Sequence, residues 1–321
     1  LWDYAECNPL GETSGGYPSA FGWVTLVAKH LTEAATHSPT PNVNCRSAIG
    51  TALSGFDCII TDPPYYDAIP YSDLMDYYHV WIRRITSGIL GSMDVAFKEE
   101  LSPKWNRSAD DGELIDDASR HDGDLEKSKI SYERGMAREF QACRCALKPD
   151  GRLVVVFAHK HPAAWETLAT AIIHAGFVVD GSWPIQTEMG TRTRALSSSA
   201  LSSSVWLVCK KRAEDAKPGW DNLVLAEMRE NIRDMLQEFW DAGIRGPDFV
   251  WAATGPALQA YSRHPVVKKA NEPGVMSVSE FLTHVRRIVV DFVVGRVLSG
   301  ESADEGDLAT ADRLDEPTAY Y

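Results

Sequence analysis

The residues best suited to chemistry stand together at Asp62, Pro63, Pro64, Tyr65, Tyr66 and Asp67. Prolines lack an N–H but keep their carbonyls as acceptors, and an ionised carboxylate such as Asp62 accepts only. A rigid cluster of acceptors suits a donor with two hydrogens, such as an exocyclic amino group. Tyr65 adds a flat face for a planar base, worth about 1–3 kcal/mol by analogy with base–aromatic stacking. Acceptors aimed at an aryl amine draw its lone pair out of ring conjugation and towards an electrophile. Alignment can then supply much of the barrier to a displacement.

The elements around this corner must place it. Cys58-Ile59-Ile60 is a short apolar run with the β-branched content of a strand buried on both faces. Two prolines then end it, because proline cannot continue a central strand and biases the preceding residue towards extended geometry. The chain is therefore expected to leave a sheet at Asp62 as a stiff loop at the carboxyl end of a strand. In open α/β sheets ligands bind at that edge.

DPPY after an apolar strand resembles the catalytic motif of the amino-methyltransferases, which use S-adenosylmethionine to methylate adenine or cytosine amino groups in DNA. The longer strings TDPPYYDAIPYSDLMDYYHVWIRR, LSPKW, LKPDGRLVVVFAHK, AGFVVDGSWPIQTEMGTRTRA and SSSVWLVCKKR narrow the resemblance. They are similar to the large adenine-specific DNA methylases with an N-terminal domain of unknown function, some of which are described with a zinc ribbon. WDYAECNP near the start and IRGPDFVWAATGPALQAYSR near the end extend the resemblance over nearly the whole chain.

The resemblance implies an α/β fold: part of a Rossmann-like class I methyltransferase sheet, with a C-terminal helical segment. It assigns catalysis to Asp62, Pro63, Pro64 and Tyr65. Asp62 and the Pro63 carbonyl would accept the amine's hydrogens, Pro64 would stiffen the loop, and Tyr65 would stack on a base flipped from the duplex. Tyr66 and Asp67 would line the rim, Lys160 would meet a phosphate or the base pocket, and Arg192 and Arg194 would hold phosphates. The cofactor implied is S-adenosylmethionine, with Asp62 and Ser47 as its contacts here.

One departure concerns that cofactor. The family's glycine-rich donor motif precedes DPPY, and residues 1–55 contain no strand followed by such a loop. Arg46-Ser47-Ala48 stands where an acidic adenosine contact is expected. The chain, which opens at Leu1-Trp2, therefore reads as a fragment with an incomplete donor pocket and is expected to be inactive in isolation. Its expected partners are DNA, a missing N-terminal part of the same protein, and other subunits of a modification or defence system. The same tetrad, with Asn or Asp first, also serves methylation of cytosine amino groups, RNA bases or protein glutamine. A non-catalytic DNA-binding or assembly module is the remaining class.

Composition is compatible with these readings. The 321 residues, 44% apolar and 24% charged, can bury a substantial core. A net charge of −13 argues weakly against DNA, because the acid is concentrated at 110–117 and in the tail. None of the six cysteines forms a CxxC pair, so they read as reduced thiols of a cytoplasmic protein. No metal is expected at Cys143-x-Cys145, or at His159 and His161, which have no carboxylate nearby in sequence. No membrane span is indicated.

Residues 1–213 are expected to form the catalytic domain and 214–321 a helical segment. Periodicity predicts helices over 21–36, through Leu74–Ile85, over 131–147 and over 163–175, with strands at 152–158, 177–183 and 205–210. The last two strands read as a hairpin. Ser72 or Asp73 is placed to cap the second helix, whose aromatic stripe (Tyr77, Tyr78, Trp81) reads as packing on a sheet. Residues 91–130 read as a polar insertion, either a DNA-contacting or lid segment or a solvated excursion. Further helices are expected through Leu225–Phe239 and Phe281–Phe292, with Gly255-Pro256 breaking the segment between them.

Overall fold

A computed structural model describes residues 8, 10–11, 16–44, 46–49, 53–67, 69–89, 104–106, 108–186 and 203–298. The chain divides into two compact units, Leu1–Arg46 and Ser47–Tyr321. The first holds helix α1 (Tyr17–Ala34), which starts at a proline in its first turn and buries none of its residues. Every other helix and strand belongs to the second.

The second unit is an α/β structure around a mixed four-stranded sheet. In chain order come β1 (Phe56–Thr61), α2 (Tyr71–Thr86), the short β2 (Trp105–Asn106) and β3 (Asp111–Gly112), α3 (Leu125–Ala146) and β4 (Leu147–Phe157). Then follow α4 (Pro162–His174), β5 (Phe177–Gln186), β6 (Ser203–Lys211), β7 (Gly219–Trp220), α5 (Asp221–Asp241), α6 (Gly246–Ser262), β8 (Val267–Lys268) and α7 (Val278–Leu298). The sheet runs β1-β4-β6-β5. The β1–β4 pair is parallel, while β6 lies antiparallel to both β4 and β5, so the last two strands form the expected antiparallel pair.

Between Phe56↔Leu147 and Cys58↔Arg152 the register jumps, so Lys148–Gly151 bulge from the ladder. Pro149 lies in that bulge, at the start of β4, where a residue that cannot donate to the ladder is tolerated.

Burial alternates along β4, where Leu153, Val155 and Phe157 are buried and Val154 and Val156 are half-buried. The buried face carries the core: Val205, Leu207 and Cys209 of β6, Met136 and Phe140 of α3, Trp165 and Leu168 of α4, and Ala252, Ala253 and Ala257 of α6. Trp165 stacks on Trp251 at 5.1 Å and 9°. The C-terminal helices thus share one core with the sheet.

Several expectations change. The strand reading of Cys58-Ile59-Ile60 holds, but among the described residues β1 is an edge strand, with Phe56 40% and Ile60 64% exposed, rather than one buried on both faces. Helix α2 forms as its periodicity requires, yet none of its residues is buried, so its aromatic stripe does not pack on the sheet. Neither Ser72 nor Asp73 caps it from its own N-terminus. Instead the Glu113 carboxylate accepts the Ser72 amide N–H at 2.9 Å and the Ser72 hydroxyl at 2.6 Å.

The described part of the polar stretch is therefore not a solvated excursion. Leu114 and Ile115 are buried, and Arg120, with a side chain 5% exposed, donates to Glu113 at 2.8 Å. Nor does Gly255-Pro256 break a helix, since α6 passes through both. Pro256 removes the N–H that would meet the Ala252 carbonyl, and Ser182 Oγ of β5 donates there instead, at 3.4 Å. Gly255 faces the same serine, and a Cβ at 255 would collide with it. The pair lets the helix lie against the strand.

Candidate functional site

Because β1 and β4 are parallel, both deliver their following loops at one edge, Thr61 standing beside Val155. The loop after β1 carries Asp62–Asp67 and the loop after β4 carries Ala158–His161. Ring contacts join the two: Tyr65 meets Phe157 edge-on at 5.3 Å and 74°, and Tyr66 meets His159 at 6.0 Å and 78°.

Within the first loop Asp62 is exposed and Pro63 is buried, while Pro64, Tyr65 and Tyr66 are half-buried. The Tyr65 hydroxyl donates to Asp62 Oδ1 at 2.7 Å. Burial, and then that bond to a carboxylate, push the Tyr65 hydroxyl well above its ordinary range, so it stays protonated and donating. Tyr66 takes a left-handed backbone at φ 56°, which an aromatic residue adopts only where its surroundings impose it. Its carbonyl accepts the Asp116 amide at 3.1 Å, and burial first, then the nearby Asp116 carboxylate, push its hydroxyl up. The Pro64 carbonyl accepts from Tyr132 Oη of α3 at 2.7 Å. Thr61 Oγ1, just before the corner, is buried with no hydrogen-bond partner among the described residues.

Asp67 is exposed at the rim, and its Oδ1 lies 3.1 Å from Nε2 of His159. His159 thus does have a carboxylate beside it, which the sequence separates by 92 positions. Its Nδ1 accepts the His161 amide N–H at 3.1 Å, so in the neutral ring the proton sits on Nε2 and is donated to Asp67. Burial lowers the affinity of His159 for a second proton, partly opposed by Asp67. Lys160 is exposed on the same loop.

The structure thus brings Asp62, Pro63, Pro64, Tyr65, Tyr66, Asp67 and the loop of Lys160 to one edge. Ser47 donates to Asp111 Oδ1 at 2.9 Å. Arg192 and Arg194 lie outside the described residues. Tyr132, Asp116 and His159 were not legible as parts of this corner, since each reaches it from a distant segment. No group of ligands suited to a metal ion occurs among the described residues, and no helix there is long and apolar enough to cross a membrane. No protein-family model, curated protein or solved structure matches the chain.

Proposed function

We propose that this chain holds the exocyclic amino group of a nucleobase, adenine in DNA, for methylation by S-adenosylmethionine. The observation that carries the reading is the exposed Asp62 carboxylate at the carboxyl end of β1, set beside a proline pair and a half-buried tyrosine ring. With the Pro64 carbonyl engaged by Tyr132, the acceptors for an amine are the Asp62 carboxylate and the Pro63 carbonyl. An entering amine replaces the Tyr65 hydroxyl at Asp62. The Tyr65 ring, backed by Phe157, then serves as the stacking wall. The mixed α/β sheet is compatible with a Rossmann-like methyltransferase sheet, which is the finer fold proposed.

The donor, when bound, supplies the methyl group. Of its proposed contacts, Asp62 fits a place beside the reacting nitrogen. Ser47 is hydrogen-bonded to Asp111, and among the described residues no strand with a glycine loop pairs with β1. The described residues therefore make the base side of such a site and not a complete donor cradle.

The test is tritiated methyl transfer by the intact protein carrying this chain, offered DNA, RNA and protein in parallel. Label in the adenine amino group of DNA is the expected result. Label confined to RNA or protein moves the assignment to the corresponding amino-methyltransferases, and no label in any substrate refutes the reading.

A further inference from the structure

One hydroxyl holds the acceptor corner from outside. Tyr132 Oη donates to the Pro64 carbonyl at 2.7 Å and accepts the Tyr66 amide N–H at 3.1 Å. These two backbone groups flank Tyr65, so the hydroxyl fastens the chain on both sides of the ring that lies beside Asp62. The same Tyr66 amide also reaches the Pro64 carbonyl directly at 3.0 Å, so the three groups form a closed set. Tyr132 is itself 2% exposed, and its ring meets that of Tyr66 edge-on at 5.3 Å and 88°. A side chain so packed is a fixed post against which a left-handed Tyr66 can be held.

His159 is a second post. It is 7% exposed, its backbone carbonyl accepts Trp165 Nε1 at 2.8 Å, and its Nδ1 is occupied by the His161 amide. Only Nε2 is left to reach Asp67, immediately after Tyr66.

We propose that Tyr132 and His159 are positioning residues of the Asp62–Tyr65 corner. Tyr132 fixes the backbone from Pro64 to Tyr66, His159 fixes Asp67, and neither is assigned contact with the base. The proposal rests on the reading of this corner as an amino-group site, and its two tests separate the failures. Tyr132→Phe keeps the buried ring and removes only the hydroxyl.

In the full chain, hydrogen exchange of the Tyr66 amide is expected to quicken roughly tenfold in Tyr132→Phe, while the amides of Val155 and Leu207 in the core stay unchanged. Unchanged exchange at Tyr66 overturns the clamp. An equal loss of protection through the core overturns it too, since the hydroxyl would then serve general stability. In methyl transfer by the intact protein, Tyr132→Phe is expected to lower kcat by about 10–100-fold with KM for DNA unchanged. His159→Ala is expected to act in the same way, with recovery in His159→Gln, whose amide can donate to Asp67. A rise in KM alone overturns the positioning role. If the wild-type protein transfers no methyl group, the amino-group reading fails, and the exchange measurement still decides whether Tyr132 holds the corner.

Discussion

At the scale of single residues, the structure sorts the polar groups into those facing solvent at the corner and those that brace it. Asp62 is exposed, whereas Tyr132 and His159 are buried and directed at the loop's backbone and at Asp67. The corner itself was legible, because proline chemistry and the apolar run are local. The braces were not, since Tyr132 lies 66 positions from Tyr66 in sequence and no periodic pattern links them. One residue beyond the corner makes a measurable prediction. Glu139 of α3 is 6% exposed, has no hydrogen-bond or ion-pair partner among the described residues, and burial raises its carboxyl to about 7. Between the ordinary Glu range and about 7 the folded state therefore binds a proton that the unfolded state has released, so stability falls as pH rises through that window. Glu139→Gln removes the dependence. It is expected to match the wild type at pH 4 and to be more stable at pH 8 by up to about 3 kcal/mol, read from urea denaturation. A difference that does not change with pH contradicts the assignment.

At the scale of elements, hydrophobic periodicity located most of the helices and strands, with ends in several cases falling short, and it missed α6, but their neighbours decided what they do. Gly255 and Pro256 are strong breakers in isolation. Packed on β5 they become an approach site, because the missing side chain admits Ser182 and the missing N–H leaves a carbonyl for its hydroxyl. Gly255→Ala is therefore expected to destabilise by roughly 1–3 kcal/mol through overpacking. Ser182→Gly in the same chain is expected to recover part of that loss. Denaturation curves of the two single variants and the double variant check this, and simple additivity would contradict the contact. The acidic run at 110–117 shows the opposite error of reading. A solvated stretch was one reading of it, yet Glu113 ties down the start of α2 and the Asp116 carboxylate accepts from Ser128 at 2.5 Å while its amide holds the Tyr66 carbonyl. A carboxylate's partners come from the fold, and composition cannot reveal them.

At the scale of the whole molecule, the core lies mainly on one face of the sheet, shared by α3, α4 and the C-terminal helices. β1 and α2, which flank the acceptor corner, remain exposed, as does the apolar helix α1. The sequence pattern of β1 suits burial on both faces, so this is the place where local pattern and fold disagree most. The central claim is that the Asp62 carboxylate does chemistry rather than merely closing a turn. An exposed carboxylate that only ends a strand can be lost with little effect, whereas one that polarises a reacting amine cannot. The most direct measurement is methyl transfer to DNA adenine by the intact protein with Asp62→Ala, with DNA affinity measured alongside. The account predicts a fall in kcat of roughly 100-fold or more with affinity for DNA retained. Unchanged methyl transfer in Asp62→Ala would contradict it.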